Sequence, residues 1–514
     1  MKILKNLILA TFMISISGCA DLDEEPFSVL SPSGFYRNAA DAEVALYGVY
    51  STLQCCGGGS FYGQTLPIYV GGLGDDQIGG NGPWRVPGQF SFDPTYEGVS
   101  NVWTQIYASI NTANSVIDNI PQIEMDEAEK NNIIGEARFL RALDYFNLVR
   151  LFGEVPLQLQ ENIDLSNAFK DRASINEIYD VIVEDLVFAE ANIIQMAKGR
   201  ATAGAAKALL AKVYLTMAGV EGPNAGDMAY YTLARDKAQE VMGMSYALES
   251  NYKDVFSVDN EGNGEVIFEL EFTRNIDGQG SRIPQLRGGA VLNNAVGWDI
   301  RNGGQPFAGS GFRNRGWGIM RGSHKWCDET DSLDFRREVC ALCEYEFTNG
   351  QIKTYVGDPL GAPIIKWFDS NAIGSDGHEN NMILLRYADI LLTYAEAENE
   401  INPLSASAYA ALEEVRLRAR NADGIDVTGA PFDLTGTLAS KDEFRQAIID
   451  ERFIELAYEN AERWFDLKRH GLVQQEVTES NLVPVTYFSG MEYLPIPATE
   501  LTLNENLLPQ NPGW

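Results

Sequence analysis

The sequence predicts an all-α fold, a tetratricopeptide-like helical repeat stack of about four helix pairs with long inserted loops and a few short strands. Three observations lead there. Apolar residues recur at helical spacing along most of the chain. The segments that carry this pattern fall into consecutive pairs. The 514 residues, 45% of them hydrophobic, can bury a large core, which stacked repeats do without splitting into domains.

In chain order the pairs are Phe35–Leu53 with Val99–Ile120, Asp126–Phe152 with Ser174–Met196, Thr202–Ala218 with Tyr230–Met244, and Met382–Ile401 with Ser405–Asn421. A Gly- and Pro-rich insertion separates the members of the first pair. Ala203, Ala205, Ala206 and Ala211 are small enough to let neighbouring helices approach closely. Strand signals are few. Val266, Phe268, Leu270 and Phe272 alternate with Glu269, Glu271 and Thr273, which predicts a half-buried strand. Asn349-Gly350, between Tyr345–Phe347 and Ile352–Tyr355, predicts a hairpin.

Ser440–Arg469 predicts one helix of about eight turns, opened by a Ser440/Glu443 capping box and closed at His470-Gly471. Two apolar stripes run along it: Ile449, Phe453, Leu456, Trp464 and Leu467, then Ile454, Tyr458, Ala461 and Phe465. So wide an arc requires partners on two sides. Arg452, Glu455, Glu459, Glu462, Asp466 and Arg469 then read as a solvated face.

Glu462-Arg-Trp-Phe-Asp-Leu-Lys-Arg469, Tyr493-Leu-Pro-Ile-Pro-Ala498, Glu500-Leu501 and Pro509-Gln-Asn-Pro-Gly-Trp514 together resemble the closing signature of the SusD/RagB family. Residues 136–156, 200–215 and 385–397 are similar to further helices of that fold. The resemblance covers nearly all of Cys19–Trp514 and is weak over 55–94 and 274–334. It implies a bacterial outer-membrane lipoprotein, exposed at the cell surface, that captures an oligosaccharide. The ligand would pass to a TonB-dependent SusC-like transporter on which the protein sits as a lid. Leu385-Arg386-Tyr387 and Glu462-Arg463-Trp464 mark the family and hold its fold. The RagB branch leaves a peptide as alternative ligand, and a surface glycoside hydrolase is a third reading.

Lys2 and Lys5 precede an apolar run, Leu7–Ile16, too short to span a bilayer. Ile16-Ser-Gly-Cys19 is similar to a bacterial lipobox. The expected organisation is a signal peptide over 1–18, lipidation at Cys19, an acidic tether over 19–34 and a single domain over 35–514. Within that domain, insertions fall at about 55–97 and 274–335, and a C-terminal segment spans 440–514. The formal net charge of −33 repels nucleic acid, so no nucleic-acid partner is expected.

Little in the chain suggests catalysis. Its three histidines, His324, His378 and His470, stand far apart, and it contains no nucleophile elbow, metalloprotease helix or phosphate loop. Asp259-x-Glu261-x-Asn263-Gly264 begins like a calcium loop, but Leu270 occupies its twelfth position. Cys327, Cys340 and Cys343 lack a fourth zinc ligand, so no metal or cofactor is expected. With Cys55 and Cys56 the exported cysteines number five, which predicts buried thiols or one local disulfide among the last three.

The two insertions have the character of a binding surface instead. The first sets Asp75, Asp76, Asn81, Trp84, Arg85 and Tyr96 in Gly-rich backbone, where rings can stack on sugar C–H faces and polar groups can bond hydroxyls. Arg274–Lys325 holds eight basic residues against Asp277 and Asp299, with Phe307 and Phe312 among them. The candidates there are Trp298, Arg301, Arg313, Trp317 and Arg321. Such a stretch suits an anionic glycan bound through guanidinium forks, or else its arginines pair with acids elsewhere on the chain. Trp103, Trp326, Trp367, Trp464 and Trp514 read as packing residues.

Overall fold

Side-chain caps and buried alanines account for where the helices begin and how closely they lie. The computed structural model describes residues 35–54, 61–80, 82–163, 169–273, 280–287, 295–296, 318–347, 352–358, 360–367, 369, 378–422, 425–426, 434–480, 485 and 487–514. Cys19, the residues expected as leader and tether, Cys55 and Cys56 lie outside them.

Helix α1 (Ala39–Gln54) buries Ala42, Leu46, Val49 and Leu53 and packs on α2 (Glu97–Asn119) and α3 (Glu127–Phe152). The Asp126 side chain caps α3 by accepting from the Ala128 and Glu129 N–H groups. Ser174 opens α4 (Ile175–Asn192) in a reciprocal capping box with Glu177. In α5 (Ala203–Ala218) and α6 (Met228–Met242), Ala205, Ala208, Ala211, Ala234 and Ala238 are fully buried, which lets the two axes come close. Further along, α10 (Tyr387–Ile401) packs on α6, α11 (Ala406–Arg420) and α12 (Lys441–Glu455). The predicted pairs are therefore present, and each leans on the next. Between α6 and α10 the described residues include the short α-helices α7 (Ile283–Arg287), α8 (His324–Glu329) and α9 (Arg336–Cys340).

Short strands line one side of the stack. β1 (Gln77–Gly79) pairs antiparallel with β4 (Met320–Gly322), and β2 (Val266–Leu270) with β7 (Met382–Arg386). β3 (Ala295–Val296), β5 (Glu344–Phe347) and β6 (Ile352–Thr354) form a third sheet, with β5 and β6 as the predicted hairpin. Two expectations are corrected here. Met382–Arg386 is strand rather than the first turn of a helix. β2 is covered on both faces, so Glu269 is buried instead of turned to solvent.

The largest correction concerns 440–469. Helix α12 stops at Glu455, and Tyr458, Asn460 and Ala461 take left-handed φ values of 67°, 44° and 58°. Helix α13 (Glu462–His470) then starts in a new direction and ends at Gly471, φ 68°. The side expected to be solvated is buried. Glu455 is bonded by Arg336 at 2.7 Å, Arg386 at 2.6 Å and by Arg418. Glu459 accepts from Arg386 at 2.8 Å and Lys366 at 2.6 Å. Arg452 reaches Asp389 at 2.7 Å and Asp466 at 2.8 Å, Lys212 bridges Asp389 and Glu462, and Arg469 bonds Glu396. Charges at helical spacing look the same whether water or opposite charge faces them, and here β7, α5, α10 and α11 supply the opposite charge.

Burial would raise these carboxyl pKa values, but Arg418, Arg386 and Arg336 hold Glu455 well below the usual range, and Lys212 and Arg452 do the same for Asp389. Asp466, beside Arg452 and Arg469, falls to about 2. Elsewhere desolvation wins: Glu261 and Glu269 rise to about 7 and Asp76 to about 6. The lowered groups add stability that is complete above about pH 4.5 and is lost as the pH falls toward 2. The raised groups add stability that is complete below about pH 4 and is lost as the pH rises through 6 to 7. Thermal unfolding scanned across pH is expected to peak near about pH 5, and a monotonic rise from acid to neutral would contradict it.

Cys327 and Cys343 form a disulfide across a sequence separation of 16, and Cys340 is a buried free thiol. One local disulfide among the last three cysteines is thus the outcome. Reduction is expected to cost about 3 kcal/mol, for a loop of that length, read from denaturation midpoints with and without reductant.

Candidate functional site

Residues 61–80, part of the insertion expected at about 55–97, thread through the core. Phe61, Tyr62, Leu66, Ile68, Val70 and Leu73 are all buried, while Tyr69 stays half-exposed. The following turn is held by close backbone approach. A Cβ on Gly79 would collide with the Trp84 carbonyl, and one on Gly80 would sit 2.4 Å from the Gly318 carbonyl. Arg85 Nε then donates to the Gly79 and Gly80 carbonyls at 3.3 and 3.2 Å. This fixes Trp84, half-buried, beside Tyr69 over a small apolar cluster of Ile68, Leu286, Ile319 and Met320.

From Tyr69 a line of ring contacts continues. Tyr69 meets Tyr96 edge-on at 5.7 Å, and the Tyr96 hydroxyl donates to the Pro83 carbonyl at 3.5 Å. Tyr96 lies 5.7 Å from Phe92, and Phe92 stacks on Trp514 at 4.7 Å. Gly98 leaves the room these rings need, since a Cβ there would stand 2.7 Å from both Tyr69 and Tyr96. Tyr69, Trp84, Tyr96 and Trp514 are half-buried, so each keeps part of its surface in water. A fixed arc of partly exposed rings can take the C–H faces of pyranose units.

Of the predicted site residues, Trp84 and Tyr96 are brought together on this face. Asp75 and Asp76 are withdrawn from it, each 3% exposed. Asp75 Oδ1 accepts from Arg463 Nε at 2.5 Å, and its Oδ2 accepts from Arg463 Nη2 at 2.8 Å and Lys325 Nζ at 2.7 Å. Burial alone would raise its pKa, but Arg463 and Lys325 hold it below the usual range. Asp76 Oδ2 accepts from the Tyr458 N–H at 2.8 Å and so pins the left-handed turn ahead of α13. Both carboxylates tie the insertion to the C-terminal segment. Arg321, on β4, is likewise buried, at 5%. Asn81, Trp298, Arg301, Arg313 and Trp317 lie outside the described residues.

The sequence reading did not single out Tyr69 and Phe92, and it assigned Trp514 to packing alone. Ring residues within an apolar run carry no mark of exposure, and the one available signal was the glycine at 98, two positions after Tyr96. Trp103, Trp326, Trp367 and Trp464 are buried as expected. Among the described residues no group of three His, Cys, Asp or Glu could hold a metal ion, and no helix is long and apolar enough to cross a membrane.

Two family profiles match the chain: one described as "SusD family" over residues 348–514, the other as "Starch-binding associating with outer membrane" over residues 90–215. "SusD-like protein P2" of Formosa agariphila is 31% identical and covers 99% of this chain and 99% of its own length. A solved SusD homolog from Bacteroides thetaiotaomicron superposes with a TM-score of 0.77 at 24% identity, over 94% of this chain and 98% of that one. A structure described as a laminarin-binding SusD-like protein superposes with a TM-score of 0.72 at 25% identity, over 93% of this chain and 100% of that one.

Proposed function

Since the chain belongs to the SusD/RagB family, we propose that it is a lipid-anchored surface protein that captures an oligosaccharide and passes it to a SusC-like TonB-dependent transporter. The family's members are binding proteins described as associating with the outer membrane, and one solved relative is named for binding laminarin. The observation that carries the glycan reading is the line of rings Tyr69–Tyr96–Phe92–Trp514, which pack on one another, with Trp84 and Tyr69 resting on the same buried floor. In this reading the surface grips the sugar and leaves its bonds intact. The helical stack serves as the rigid body that rests on the transporter, with the lipid on Cys19 as tether. Asn81, Trp298, Arg301, Arg313 and Trp317 extend the proposed ligand contacts from the insertions.

The test is calorimetric titration of the lipid-free protein with laminari-, xylogluco- and malto-oligosaccharides, alongside a peptide panel. Saturable heat with one glycan class, and no new reducing ends on prolonged incubation, is the expected outcome. Heat with peptides alone would replace the glycan by a peptide. Accumulating reducing ends would make the protein a hydrolase.

A further inference from the structure

Arg287 ends α7 with its side chain 2% exposed. Its guanidinium lies over the Trp367 ring, 4.4 Å from the centroid, so one of its faces is covered. Nε and Nη2 find no hydrogen-bond partner among the described residues. These two nitrogens form one edge of the guanidinium, with parallel N–H bonds spaced to match the two oxygens of a carboxylate. Burial pulls the Arg287 pKa down only to about 10, so the group is charged at neutral pH.

No acid among the described residues takes that edge. Asp76, whose charge Arg287 feels, accepts from the Tyr458 N–H, and Glu459 is held by Arg386 and Lys366. Two further buried groups lack a hydrogen-bond partner among the described residues. The Tyr458 hydroxyl has no partner and neither does the Gln77 side-chain amide. Gln77 lies opposite Gly322 in the β1–β4 ribbon, and a Cβ on Gly322 would stand 2.5 Å from the Tyr458 hydroxyl. A buried cation with two unmade hydrogen bonds is a standing free-energy cost, which a planar oxyanion seated on that edge would recover.

We propose that the Arg287 edge is a receptor for a carboxylate, taken side-on by Nε–H and Nη2–H. The carboxylate comes either from a free small acid or from a sugar acid, and only the second source rests on the glycan-capture reading. The test titrates the intact protein with sodium acetate and with glucuronate, against sodium chloride and glucose at matched ionic strength. Melting temperature and calorimetric heat are the readouts.

A carboxylate-dependent rise in melting temperature is expected, with nitrate, planar and equally charged, competing for the site. In Arg287→Lys, which keeps the charge and loses the fork, affinity should fall at least tenfold. The wild-type titration and the nitrate competition need no variant, so a poorly folding substitution leaves the test intact. Acetate acting as well as glucuronate identifies a free acid as the ligand, and glucuronate acting alone identifies a sugar acid. Neutral oligosaccharides binding while neither carboxylate exceeds the chloride control would overturn the proposal and leave the glycan reading standing. Carboxylate binding without any glycan binding would do the reverse.

Discussion

Arg386→Met should remove about 3–5 kcal/mol of folding free energy, a large part of the roughly 5–15 kcal/mol that holds a domain together. Arg386 is 1% exposed and donates to Glu265 at 2.8 Å, to Glu455 at 2.6 Å and to Glu459 at 2.8 Å on both of its oxygens. It also donates to the Glu455 carbonyl at 2.8 Å. Methionine fills similar volume, so the loss comes from charge and not from a cavity. Three carboxylates would be left facing a weaker cationic field without water to screen them. Denaturant midpoints and soluble yield are the readouts, and a loss below about 1 kcal/mol would mean that solvent reaches the cluster. Arg386→Lys should fall between, because it restores a charge without the planar fork.

The second large effect belongs to Trp84. Trp84→Ala should weaken glycan affinity at least tenfold, which corresponds to about 1.4 kcal/mol, while the protein stays folded. The indole is half-buried and rests on Ile68, Leu286, Ile319 and Met320, so its removal trims the edge of a small cluster rather than opening the main core. Trp84→Phe should retain part of the affinity, since it keeps a stacking face. Calorimetry with the best glycan found for the wild type measures both. Unchanged affinity in Trp84→Ala would remove the aromatic arc from the site.

The helical stack was legible because periodicity reports which residues face a core, and α1 to α6, α10 and α11 bury the residues their spacing predicts. What periodicity cannot report is the chemistry on the far side of a contact. Glu455, Glu459 and Asp466 have the spacing of a wet helix face, and only the tertiary placement of Arg336, Arg386, Lys366 and Arg452 shows it to be dry. The break at Tyr458–Ala461 was hidden for a related reason. No glycine or proline marks it, and the left-handed residues are held by the Asp76 carboxylate, 382 positions away from Tyr458 in sequence. At the candidate site, composition pointed to Trp84 and Tyr96. It could not separate them from Asp75 and Asp76, because an aspartate beside glycines reads alike whether it meets a sugar or an arginine.

The interlocked charges also constrain how this sequence can drift. A lone change at Arg386, Glu455, Arg452 or Asp466 strands an opposite charge away from water, so a tolerated path must alter both members together or neither. Single-nucleotide steps rarely achieve that. Stretches such as Glu462–Arg469 are therefore frozen by their own coupling, independent of any ligand.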